Sequence, residues 1–209
     1  MGLNKNVYLL VLAGAFGLCI APMVVFIGGL IGTELAPSAH LATLPVAAIV
    51  VGTALAVIPV SSLMSKYGRK TIFISSAFFS SFAALLAAFS IYHKSFWGFT
   101  FSVACLGSSL AVLQQYRFAA MESVTADKIA QAASFVLLGG LIAAVLGPEL
   151  ATLGKDIFEQ HYVGSFCLLA ITSLIGAALL GLYKAKPLNS ATVANQPRRL
   201  TGLMRNKLF

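Results

Sequence analysis

The sequence predicts an all-α, polytopic membrane protein with six transmembrane helices, and three observations carry that prediction. Of its 209 residues, 59% are hydrophobic and only 10% charged, where a soluble domain carries roughly a quarter charged residues. The mean hydropathy is +0.92. The apolar residues gather into six stretches, each close to the ~20 residues a helix needs to cross the hydrocarbon core. A soluble fold of this length has no interior large enough to hide so much apolar surface.

The first stretch, Val7–Ile31, is too long an apolar run for a cleaved signal peptide, and another span follows at once. The second, Leu41–Met64, and the third, Thr71–Tyr92, flank the short basic turn SSLMSKYGRKTIF. The fourth, Trp97–Met121, carries a polar cluster in its inner part, Gln114, Gln115, Tyr116 and Arg117. The fifth, Ala130–Leu153, contains LLGGLIAAVLGPELATLG at its end, and the sixth, Val163–Leu182, closes a bundle of residues 1–183. Residues 184–209 form a basic tail. The gaps are short, so successive helices run antiparallel. None of the stretches keeps the period-two alternation of a barrel strand.

Lys5, then Lys66, Arg69 and Lys70, then Lys128 and the tail from Lys184 onward all fall at one end of such a bundle. Only Lys94 and Lys155 fall at the other. The positive-inside rule therefore puts the first end, and both termini, in the cytoplasm. The net charge of +8 reads as a topology signal and an attraction to anionic lipid. It does not read as a nucleic-acid surface, and no nucleic-acid partner is expected.

Enzyme classes find no support. His40, His93 and His161 fall in the outer loops at spacings that fit no metal site. Cys19, Cys105 and Cys167 lie one to a span and read as small packing residues rather than a disulfide framework. There is no GxSxG, no HExxH and no histidine inside a span to serve as a base. No catalysis, metal or cofactor is expected.

Polar residues inside a span are costly, so each needs a reason. Arg117 lies about 6 Å below the end of its span at 1.5 Å per residue. It either snorkels to the surface, pairing with Glu122 or Asp127, or lines a central cavity with Gln114, Gln115 and Tyr116. Glu149, after Pro148, is either interfacial or faces a cavity and takes a proton. Glycines let helix backbones approach closely in lipid. Pro148, Pro22, Pro45 and Pro59 are expected to kink or soften their helices. A bundle so punctuated suits a transporter better than a rigid anchor.

The turn between the second and third spans reads SSLMSKYGRK. It resembles the G-x-L-x-D-R-x-G-R-R/K loop of the major facilitator superfamily. Leu63, Lys66, Gly68, Arg69 and Lys70 match in type, while Ser61 replaces the family's glycine and Ser65 its aspartate. The resemblance implies that this loop is a gating element, with Ser65 standing where the family's charge network has its aspartate. Gly139, Gly147 and Pro148, with the more distant Gly154, resemble the fifth-helix motif of the family's proton antiporters. The outer-half arginine that many members carry in the fourth helix has no counterpart here. LATLPVAAIVVGTALAVIP, YRFAAMESV and VLLGGLIAAVLGP resemble recurring stretches of a little-characterised bacterial branch.

The resemblance is to the N-terminal half of such a transporter. It implies two inverted three-helix repeats, a bacterial inner-membrane location and proton-coupled movement of a small solute by alternating access. The partners it implies are the lipid bilayer, a small-molecule substrate, and a second six-helix half or a second copy of the chain. In the tail, Leu200, Leu203, Met204 and Leu208 fall at helical spacing among Arg198, Arg199, Arg205 and Lys207, the pattern of a helix lying on the inner membrane surface. Two functions stay open on these residues: a half-transporter, and a membrane-inserted fragment that moves nothing by itself.

Overall fold

A computed structural model describes residues 4–184. Among these residues the secondary structure is entirely helical, and six helical segments are long and apolar enough to cross a membrane. The first span consists of α1 (Lys5–Leu18) and α2 (Ile20–Leu35). The second is α3 (Leu44–Tyr67), preceded by a short 3₁₀ turn, and the third is α4 (Arg69–Tyr92). The fourth consists of α5 (Phe96–Leu113) and α6 (Tyr116–Glu122). The fifth is α7 (Ile129–Gly154) and the sixth α8 (Val163–Leu182). Residues 185–209 of the basic tail, with the expected surface helix, lie outside the described residues.

Helix starts follow local chemistry. The side chain of Asn4 accepts from Asn6 N–H at the head of α1, and Ser95 accepts from Gly98 N–H at the head of α5. Both occupy otherwise unpaired first-turn donors. Pro45 sits in the first turn of α3, where its missing N–H costs nothing. It therefore starts its helix rather than kinking it. The helices also run without interruption through Pro59 and Pro148.

Two spans are interrupted elsewhere. The first breaks at Cys19, one turn before Pro22, because proline has no N–H to give the carbonyl four residues back, at Leu18. The fourth breaks at Gln114–Gln115 with no proline. There the bonding tightens from four-residue to three-residue spacing: Gln114 N–H donates to Leu110, but Gln115 N–H donates to Val112 and Phe118 N–H to Gln115.

The main contacts join the second span to the fourth, the first to the fifth, and the third to the sixth. The third also packs on the fourth and the first on the sixth. Exchanging spans one, two and three for four, five and six maps this set onto itself. Second–fourth becomes fifth–first, third–fourth becomes sixth–first, and third–sixth is unchanged. Because the first and fourth spans run in opposite directions, the arrangement is that of two inverted three-helix repeats. Phe73, Phe99 and Phe166 are the largest fully buried side chains, and Phe99 meets Phe166 edge to face at 5.5 Å.

Candidate functional site

Gln114 and Arg117 lie three residues apart across the break in the fourth span, and both are exposed. They line one concavity of about 210 Å³, walled by Leu18 of the first span and Val136, Leu137 and Gly140 of the fifth. The guanidinium of Arg117 sits 4.8 Å from the Phe118 ring centroid, within cation–π range. Tyr116 points the other way. It is 3% exposed and packs on Phe73 with ring centroids 4.5 Å apart. Gln115 is half-buried between the two faces. The structure thus brings two of the four polar candidates, Gln114 and Arg117, to one open surface.

The turn after the second span is built around Gly68. Its φ of +83° lies in a region that side-chain-bearing residues rarely adopt, so the break between α3 and α4 needs glycine here. Leu63, Ser65 and Lys66 are exposed on the last turns of α3. Ser65 Oγ donates to the Ser62 carbonyl at 2.8 Å, so the hydroxyl is satisfied within its own helix. Arg69 forms an ion pair with Glu122 at 2.7 Å. Lys70 Nζ donates to the Gly181 carbonyl at 2.7 Å. The third span is thereby clasped to the ends of the fourth and the sixth.

Glu122 therefore belongs to Arg69 and not to Arg117, the partner its spacing suggested. Around this clasp, Asn4 Nδ2 donates to the Ser123 carbonyl at 3.0 Å and Asn6 Nδ2 to the Lys184 carbonyl at 2.7 Å. Burial holds the Tyr183 phenol above its ordinary pKa, and the nearby Arg69 charge partly opposes that. One end of the bundle is in this way tied together from the first, third, fourth and sixth spans.

The fifth-span glycines face the first span. A Cβ on Gly139 would come within 2.7 Å of the Val11 carbonyl oxygen, and one on Gly147 within 3.0 Å of the Cys19 carbonyl oxygen. Pro148 follows on a half-buried position, and Glu149 is exposed. Two features carried no signal in the motifs. Thr53 Oγ1 bridges the second and fourth spans, 2.8 Å from the carbonyl of Gly107. A small internal void of about 20 Å³ is lined by Ser76, Ser80, Ser109 and Ser173, with Ser80 and Ser173 hydroxyls 3.2 Å apart. Serines on three different spans have no common spacing in the sequence, so only the packing reveals them as neighbours.

The profile of the Major Facilitator Superfamily matches residues 7–208. The chain belongs to this superfamily. It is also similar to the riboflavin transporter RfnT of Brucella anthropi, 34% identical over 183 residues, a stretch that covers 87% of this chain and 46% of that protein. The chain thus spans about half the length of the curated relative it matches. Six spans in two inverted repeats are the expected architecture of one half of a superfamily member, and the multi-pass membrane reading follows from the family and the spans together.

Proposed function

We infer that the chain is one half of a secondary transporter that moves a small solute by alternating access. The observation that carries this reading is the concavity at Gln114 and Arg117. It is open, apolar-walled, contains a few polar groups, and lies where the fourth span is interrupted. Interrupted helices beside a polar face are the usual construction of a transporter's solute site. A second six-helix unit completes the site from the facing side, supplied by the same polypeptide, by another chain or by a second copy of this one. The second and fifth spans are its natural seat, since only 28% and 22% of their most apolar stretches are buried, against 61% for the fourth and sixth.

The solute we propose is a planar heteroaromatic compound of the riboflavin class. The similarity to RfnT supports it, and so does the chemistry of the face. The Gln114 amide both donates and accepts, Arg117 donates in a plane, and the leucine and valine walls offer apolar surface. Proton coupling rests on the family alone, with Glu149 the candidate acceptor. The basic end faces the cytoplasm of a bacterial inner membrane, as the lysine and arginine placement favours. The chain performs no catalysis in this reading.

Uptake of labelled riboflavin by cells that cannot make it, expressing this chain with and without a second six-helix unit, tests the proposal. Uptake abolished by Arg117→Ala and by a protonophore is expected. Absence of flux for riboflavin and for related heteroaromatics in every combination would favour instead a membrane-inserted fragment that moves nothing.

A further inference from the structure

A second concavity lies away from the face of Gln114 and Arg117, at the end of the bundle where the N-terminal segment meets the end of the sixth span. It measures about 730 Å³, within the range of small-molecule sites. Its rim is polar and carries two cations, Lys5 and Lys184, with the amide of Asn6 between them. Its wall is apolar, formed by Leu9 and Leu12 of α1 and Leu182 of α8, with Tyr8 beside them. Among the described residues no acidic side chain lines it.

The backbone at Lys184 is fixed against the first turn of α1. Asn6 Nδ2 donates to the Lys184 carbonyl at 2.7 Å, and Lys184 N–H donates to Asn6 Oδ1 at 3.3 Å. This pair of hydrogen bonds fixes residue 184 beside the first turn of α1, so both lysine stems start from one rigid junction. Tyr8 packs edge to face on Phe135, with ring centroids 6.0 Å apart. Both Leu12 and Leu182 are exposed, at 47% and 67%, so the apolar wall opens outward toward the space that acyl chains fill.

The geometry points to a site for an anionic phospholipid, its headgroup phosphate between Lys5 and Lys184 and an acyl chain along Leu9, Leu12 and Leu182. Two cations above an apolar groove at a span's end match a lipid, which presents a charge and a hydrocarbon chain at that same spacing of polar and apolar layers. The tail of this chain is a poor occupant by charge, because residues 185–209 carry five basic and no acidic side chains. Free inorganic phosphate would satisfy the rim but leave the leucine wall uncovered. The lipid shapes the contact between the first and sixth spans, and the site needs no assumption about which solute the bundle moves.

Native mass spectrometry of the full chain in mild detergent, with equal amounts of phosphatidylglycerol and phosphatidylcholine, tests the site. A lysine near an anionic surface is worth about fivefold in partitioning. The wild-type chain is expected to retain phosphatidylglycerol preferentially. Lys5→Gln and Lys184→Gln should each lower that preference about fivefold and together abolish it. Lys94→Gln, at the opposite end, should leave it intact. Leu12→Trp, which fills the groove without changing charge, should displace the lipid. Equal retention of the two lipids by the wild-type chain overturns the proposal, and so does a preference that survives in the double lysine variant. Retention unchanged by Leu12→Trp would also overturn it, because a headgroup alone would then account for the binding.

Discussion

Where the second span crosses the fourth, each helix supplies a glycine. A Cβ on Gly52 would overlap the Ala104 carbonyl, and one on Gly107 would overlap the Ile49 carbonyl. Thr53 then joins the two backbones through the Gly107 carbonyl. The fifth and first spans make the crossing that the exchange of repeats relates to it, but there both glycines, Gly139 and Gly147, belong to the fifth. Their partner is a helix already interrupted at Cys19. Among the described residues no side-chain hydrogen bond links the two helices. The two crossings share a packing plan and differ in how firmly it is locked. The concavity of Gln114 and Arg117 lies beside the looser crossing, with Leu18 and Gly140 in its wall. The solute site proposed above would thus sit beside the crossing with more give.

The largest expected effect tests the locked crossing. Gly52→Ala or Gly107→Ala puts a methyl group into a facing carbonyl, and neither backbone can yield without moving its whole helix. The cost should be about 3 kcal/mol, at the upper end for overpacking, even after the small gain from alanine's helix propensity. A fall in the thermal unfolding midpoint in detergent, with loss of membrane-inserted protein, would record it. Next come Gly139→Ala and Gly147→Ala. Their nearest contacts are longer and, at Gly147, include the edge of the Pro22 ring at 2.8 Å. About 1–2 kcal/mol is expected from the same measurement. Equal losses at all four glycines would erase the distinction between the crossings.

How much of this was legible in the sequence depends on what each residue's neighbours were. The six-span, all-helical fold was readable because hydrophobic length is a local property, and Gly68 was readable as a turn because the charges around it mark a loop. The resemblance named the family from the turn and the fifth-span glycines. The pairing of Glu122 with Arg69 was not readable, because the two lie 53 residues apart and only the meeting of the third and fourth spans joins them. The split of the polar cluster was partly within reach. At 100° per residue, Gln114 and Arg117 share a face and Tyr116 departs from it. The break at Gln114–Gln115 was not, since no proline or glycine stands there and the three-residue bonding arises from packing.

A third test loosens or tightens the second crossing on purpose. Pro22→Ala restores an N–H for the Leu18 carbonyl and should let α1 run into α2 as one helix. The regained hydrogen bond should raise stability by about 1 kcal/mol, visible as a higher unfolding midpoint. If give at this crossing serves solute movement, uptake should slow in the same variant. A faster or unchanged uptake with a raised midpoint would mean that the interruption at Cys19 is only a structural accommodation of the proline.

The smallest effect separates two explanations of the locked crossing. Thr53→Val keeps the shape of the side chain and removes its hydroxyl, which lies 2.8 Å from both the Ile49 and the Gly107 carbonyls. Both carbonyls lie inside regular helices and keep their backbone partners, so no buried acceptor is orphaned. The loss should be about 0.6 kcal/mol, the average for an interhelical hydrogen bond in lipid. If the unfolding midpoint falls this little while Gly52→Ala falls far more, backbone apposition is what locks the second span to the fourth. If Thr53→Val falls as far as the glycine variants, the hydroxyl is the lock. The contrast with the fifth and first spans would then lie in a missing side-chain bond rather than in where the glycines sit.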